Sequence, residues 1–293
     1  MPVHANTALD AENLGEVVVR GVPIRFSVAG RGDRDVLLVH GSGAHRLWWH
    51  LLIPQLVAAG LRVISVDLSG HGDSGHRSEY DGEVWGEEIL AVIWATGSSR
   101  PLVVGHSLGG RLTLMTAGAH PDAFAGLVLI DTPLRPPPSY QAAVAAGRRQ
   151  RPRQERRYQS RDEIMARFRL VPPQPHPADE VMTALAANGV REVDGMWTWK
   201  HDQCVMPAFY GPELLAAAAT VRIPLCYVYG ANSSLVKDVE ADFVRAHLPG
   251  EVNVVRIANG FHHLCLDQPA ECADVIIATR ARVDGRAPDR DLS

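Results

Sequence analysis

The sequence predicts an α/β fold: a mostly parallel, doubly wound sheet with helices on both faces and a helical cap insertion. Three observations predict it. Short β-branched-rich apolar runs recur along the chain, each too short for a helix and mostly apolar on both faces, which suits strands buried in a parallel sheet. Helix-like stretches separate these runs, so consecutive strands are joined by βαβ crossovers and a ligand binds beyond their carboxyl ends. One region, about residues 134–221, breaks the alternation and reads as an insertion.

Residues 16–20 and 24–29 flank Gly21-Val22-Pro23, the pattern of an opening antiparallel hairpin. Buried strands are then expected at 36–40, 62–67, 102–104, 127–131, 225–229 and 252–257, with helices at 47–59, 83–95, 108–120, 236–247 and 269–281. The insertion holds no clear strand. It carries a proline run at 136–138, a basic stretch from 148 to 161, a second proline-rich patch at 172–177 and the aromatic pair Trp197 and Trp199, and it reads as mainly helical. The expected division is a core of residues 1–133 and 222–293 with a cap, or lid, at 134–221. The polar tail after Gly285 is expected to be disordered.

At 293 residues the chain is long enough for one large domain with a sizeable core. A net charge of −4 gives no reason to expect nucleic acid or an acidic membrane surface as partner. Residues 1–15 are polar with no charged-then-apolar signal pattern, and no apolar run reaches membrane-spanning length, so a cytoplasmic protein with no membrane partner is expected. Cys204, Cys226, Cys265 and Cys272 form no CxxC pair; they read as thiols, with no disulfide framework and no metal site.

The chemistry is concentrated at Gly105-His106-Ser107-Leu108-Gly109, which follows an apolar run and precedes a helix. A strand-to-helix turn this tight tolerates little beyond glycine two positions before and after the serine, and it lifts the hydroxyl above the sheet as a nucleophile. A serine hydroxyl needs a base, a group that orients the base, and donors for the oxyanion. The base is sought in the loop before the last helix, where His262 and His263 compete. Oxyanion donors are available from the backbone N–H of Leu108 and from the sharp turn His40-Gly41-Ser42-Gly43, where Ser42 supplies the second.

With these residues the chain resembles the α/β-hydrolase-fold family, as a serine esterase-like member with a helical cap. The resemblance is carried by His40-Gly41-Ser42-Gly43, by Asp67-Leu68-Ser69-Gly70-His71-Gly72-Asp73-Ser74-Gly75, by Gly105 to Gly110, and by His262 seven positions before Pro269. It implies an α/β-hydrolase fold, a base at His262, and a structural role for the loop from Asp67 to Gly75. In many members the acid follows the strand at 225–229, where this chain has Ser233 in place of a carboxylate. Other members carry the acid one strand earlier. Asp131 ends that strand and is expected to complete a triad with Ser107 and His262, against the alternative that it merely caps the turn into Thr132-Pro133. Asp238 is the reserve.

The insertion occupies the place of the family's lid. Trp48, Trp49, Trp197 and Trp199, with Phe209 and Tyr210, are candidates to line an apolar substrate pocket, or else simply pack cap on core. The arginines at 148, 149, 151, 153, 156, 157 and 161 read as a solvated helix rather than a steering patch. The expectation is a cofactor-free enzyme acting on a small-molecule carboxylic ester, lactone or thioester through an acyl-enzyme. Carbon-carbon bond hydrolysis and acyl transfer use similar residues. A ligand-binding or receptor protein without turnover is the rival from another class. The oligomeric state is not readable.

Overall fold

The computed structural model describes residues 14–135, 155–175, 177–203, 205 and 212–285. Of the expectations above, the polar start of the chain, the proline run at 136–138, the arginines at 148, 149, 151 and 153, Cys204, Phe209, Tyr210 and the tail after Gly285 lie outside these residues.

The chain begins with the hairpin β1 (Leu14–Val19) and β2 (Val22–Ala29), then enters β3 (Asp35–Val39). A 3-10 turn at Arg46–Trp49 and helix α1 (Ile53–Ala58) lead to β4 (Arg62–Val66). One continuous helix over 47–59 is therefore not found. Pro54, which has no N–H for an intrahelical bond, sits at the start of α1, where that lack costs least. Next come α2 (Gly82–Ala95), β5 (Leu102–His106), α3 (Leu108–Ala119) and β6 (Gly126–Ile130). Asp81 begins α2 by accepting a hydrogen bond from Val84 N.

Between β6 and the next sheet strand lie α4 (Arg161–Met165), α5 (Asp179–Asn188), the antiparallel pair β7 (Val190–Val193) and β8 (Met196–Trp199), and α6 (Pro212–Thr220). The hairpin corrects the expectation of a strandless insertion. Asp194 and Gly195 at its turn have φ of +52° and +73°, the left-handed pair that suits a tight two-residue hairpin turn. The chain finishes with β9 (Leu225–Gly230), α7 (Asp238–His247), β10 (Val252–Ile257), the short α8 (Leu264–Asp267) and α9 (Pro269–Val283).

The sheet order is β1-β2-β4-β3-β5-β6-β9-β10. The first two strands are antiparallel to their neighbours and the rest run parallel. Every residue of β3, β5, β6 and β9 is buried, as strands covered on both faces must be. Alternate strand residues feed two apolar layers. Leu37, Val103 and Leu129 pack with Trp85 of α2 and Leu112 of α3, while Leu38, Val104 and Ile130 pack with Trp49 and Leu52, from the segment between β3 and α1, and with Ile276 of α9. The loops that carry Ser107, Asp131 and His262 follow the carboxyl ends of the parallel strands β5, β6 and β10, on one rim of the sheet.

Candidate active site

Ser107 follows β5 directly, with φ +52° and ψ −111°, a backbone conformation that a side-chain-bearing residue adopts at a cost of about 1–3 kcal/mol. Its neighbours make the turn possible. A Cβ on Gly105 would lie 2.6 Å from the backbone of Gly109 and Gly110, one on Gly109 would lie 2.3 Å from the Val39 carbonyl oxygen, and one on Gly110 would lie 2.0 Å from Thr132 Oγ1. The α3 helix is thus pressed onto β3 and the end of β6 by the absence of side chains, and it starts at Leu108. The N–H of Leu108, in the first turn, has no partner within its own helix. The Gly41-Ser42-Gly43 turn, closed by Ala44 N donating to Gly41 O at 3.2 Å, leaves Ser42 exposed beside this point, and Gly41 lies against Ser107 Cβ.

Asp131 follows the neighbouring strand β6 and is fully buried, with φ +41°. Its Oδ1 accepts from His262 Nδ1 at 2.7 Å and from Ser233 Oγ at 2.7 Å, and its Oδ2 accepts from Gly230 N at 3.0 Å. Burial pushes the carboxyl's pKa up, while the Gly230 N–H and the Ser233 hydroxyl pull it back toward the ionised form. The imidazole of His262 is pushed below its ordinary range, first by burial and then by the Arg111 guanidinium. Both effects favour a neutral ring whose Nδ1 carries the proton given to Asp131, leaving Nε2 with a lone pair.

The loop bearing His262 is seated on the end of β9. Asn232 N donates to Gly260 O at 2.9 Å, Phe261 N donates to Asp267 Oδ2 at 2.7 Å, and a Cβ on Gly230 would lie 2.4 Å from Gly260 O. The residue before Ser107 completes the link: His106 Nε2 donates to the His262 carbonyl at 2.9 Å, with the two rings 4.8 Å apart. Ser107, His262 and Asp131 therefore converge on one rim. Asp238 does not; it accepts from Tyr229 OH at 2.8 Å and pairs with Arg256 at 3.3 Å, with a side chain 75% exposed. His263 has no contact with Asp131 comparable to that of His262, and its ring lies tilted against that of Trp48, with centroids 5.3 Å apart.

The four candidate pocket tryptophans take different places. Trp48 meets His263 and, edge-on at 6.4 Å, Phe168; Trp199 meets the same Phe168 at 6.2 Å. Trp49 is 1% exposed, enclosed in the core. Trp197 lies on the hairpin, backbone-paired with Tyr158 and covered by the Arg161 guanidinium at 5.8 Å. Of the other described arginines in the basic stretch, Arg157 pairs with Asp194 at 3.2 Å.

Sequence reasoning passed over three supports. Ser233, whose Oγ also accepts from Val236 N at 3.1 Å, holds Asp131. Arg46 and Asp67 form a buried ion pair behind the Gly41-Gly43 turn, and Asp67 also accepts from Arg46 N at 2.6 Å. Glu240 Oε1 on α7 accepts from Leu134 N at 2.5 Å and Arg135 N at 2.7 Å, fixing the path of the chain as it leaves Asp131. Each depends on a partner distant in sequence; only the Asp67 loop carried a local signal, in its glycines.

A sequence model described as "Alpha/beta hydrolase family" matches residues 36–275. The chain is 37% identical over 105 residues to a pyrethroid hydrolase of Sphingobium wenxiniae, a match covering 35% of this chain and 37% of that protein. It is 36% identical over 105 residues to a pimeloyl-[acyl-carrier protein] methyl ester esterase of Edwardsiella ictaluri, covering 36% of this chain and 39% of the relative. The chain thus spans well under half the length of these curated relatives. Among solved structures, the thioesterase domain from the curacin biosynthetic pathway superposes with a TM-score of 0.76 at 23% identity, covering 92% of this chain and all of that one, a likeness of fold.

Proposed function

Because this chain belongs to the alpha/beta hydrolase family, we propose that it is a serine hydrolase that cleaves a small-molecule carboxylic ester, lactone or thioester through an acyl-enzyme on Ser107. The observation that carries the reading is the 2.7 Å bond from His262 Nδ1 to the buried Asp131, on the rim where the strained Ser107 stands. With Nδ1 so committed, His262 Nε2 takes the proton from Ser107 Oγ as the oxygen attacks the carbonyl carbon. The N–H groups of Leu108 and Ser42 hold the oxyanion, a donor of this kind being worth about 3 kcal/mol at the transition state. The tetrahedral adduct expels the alcohol or thiol, which takes the proton back from His262. Water then repeats the sequence, with His262 as base, and frees the acid and the serine.

In this reading residues 134–221 form a lid on the core of 1–133 and 222–293, and Trp48 and Trp199, joined through Phe168, form its apolar seam with the core. The enzyme works in the cytoplasm, in keeping with the buried free thiols Cys226, Cys265 and Cys272. Among the described residues no helix is long and apolar enough to cross a membrane.

The test is a panel of p-nitrophenyl esters, lactones and acyl-thioesters with a fluorophosphonate probe. Turnover and labelling of the wild type, both abolished in Ser107→Ala, are the expected result. A folded wild type that neither turns over nor takes the label would leave the non-catalytic binding protein as the better reading.

A further inference from the structure

We propose that His106, His262 and His263 bind a divalent transition metal ion of the Zn2+ class, and that the bound ion switches off the hydrolytic site by taking the lone pair of His262. The three rings each present a nitrogen within 4.8 Å of the others, and all three side chains are buried. Ligands of one tetrahedral zinc, each about 2.0–2.1 Å from the ion, lie about 3.4 Å from one another. Modest ring rotation therefore closes the site.

The surroundings are those of metal-binding imidazoles. His106 commits one nitrogen to a backbone carbonyl, 2.9 Å away, and His262 commits one to a carboxylate, 2.7 Å away. Such outer partners fix the tautomer and leave the second nitrogen to an ion. His263 is the unexplained member. Its ring is 3% exposed, yet neither nitrogen has a hydrogen-bond partner; the carbonyls of Val171 and Pro172 face it outside hydrogen-bonding geometry. An ion would give such a ring the partner it lacks. Three nitrogens with no free carboxylate oxygen select zinc, cobalt, nickel or copper over magnesium and calcium.

The inhibitory half of the proposal rests on the hydrolase reading above; the binding half does not, and the experiment separates them. Co2+ is titrated into the full-length protein and followed by its visible d–d absorption, with Zn2+ used to displace it and p-nitrophenyl acetate hydrolysis read in parallel. One site per chain is expected in the wild type and in the exposed-histidine control His120→Ala. Binding is expected to weaken by at least the about 10- to 100-fold that loss of an outer-shell partner costs in His263→Ala and, as a bulkier replacement, in His263→Asn. Wild-type hydrolysis should fall on adding Zn2+ and return with a chelator, while the folded His263 variant that still hydrolyses should resist the same Zn2+. No cobalt band in the folded wild type, or equal affinity in a folded His263 variant, overturns the site. A cobalt site in a protein inactive on every ester would instead sink the hydrolase reading and leave the metal site standing.

Discussion

Ser107 and Asp131 stand side by side on the rim, each one residue beyond a rung of the β5–β6 ladder that pairs His106 with Ile130, and both have left-handed backbone, φ +52° and +41°. Of these two strained residues at neighbouring strand ends, Asp131 holds the His262 imidazole, and in the mechanism proposed above Ser107 gives its proton to that same ring. Strain of this kind persists only where the surrounding structure over-determines it.

Replacing Ser107 by glycine should raise stability. Relief of the left-handed strain outweighs the extra chain entropy of glycine, for a net gain of about 1 kcal/mol, while turnover is lost. Urea unfolding of the two proteins at pH 7 measures it; a Ser107→Gly protein less stable than the wild type would show that the turn is relaxed.

Asp131→Asn should lower turnover by about three to four orders of magnitude with the fold intact, since the amide cannot hold the imidazole's tautomer or balance its charge. Asp238→Asn should leave turnover within about twofold, because Asp238 faces Tyr229 and Arg256. The kcat of the two variants decides between the carboxylates, and equal losses would discard the assignment.

Asp131 Oδ1 lies 2.7 Å from both His262 Nδ1 and Ser233 Oγ. The exchange Asp131→Ser with Ser233→Asp should therefore recover at least about tenfold of the activity lost in Asp131→Ser alone, a gain of about 1.4 kcal/mol in transition-state stabilisation. A double variant no better than the single one refutes the interchange.

Acid should destabilise the fold early. Burial holds eight imidazoles below their ordinary range: His45 and His201 to about 4, His106 to about 3, and likewise His40, His50, His71, His262 and His263. Each takes a proton near pH 6.5 when unfolded and only at lower pH when folded. Its stabilisation is thus complete above that pH and is withdrawn as pH falls, by up to about 1.4 kcal/mol per unit. Asp131, Asp267, Glu88 and Glu240, raised by burial, act in the opposite sense but are fewer. Denaturation midpoints should drop steadily from pH 7 to pH 5, and a flat profile would contradict this.

Most of the sheet was legible because a strand buried on both faces writes itself as an apolar run, as Val36-Leu37-Leu38-Val39 does. Ser107 was legible for a related reason: a turn that brings Gly109 against the Val39 carbonyl admits no side chain, so the glycines mark it. The β7–β8 hairpin was missed although Asp194-Gly195 advertises it, because Trp197 and Trp199 drew the reading toward an aromatic lining. Ser233 was read as a vacancy where an acid is usual. Its hydrogen bond to a residue 102 positions away exists only once β6 and β9 are paired, and no local pattern encodes that.

Glu240 has a reach out of proportion to its place. It sits on an outer helix, yet its carboxylate clasps the two amides that steer the chain away from Asp131. In the proposed mechanism, a change at this position would therefore silence the chemistry while every reacting group stays in the gene. A lineage that has lost Glu240 should have re-anchored the 134–135 segment by another route, or have ceased to need a working acid at 131.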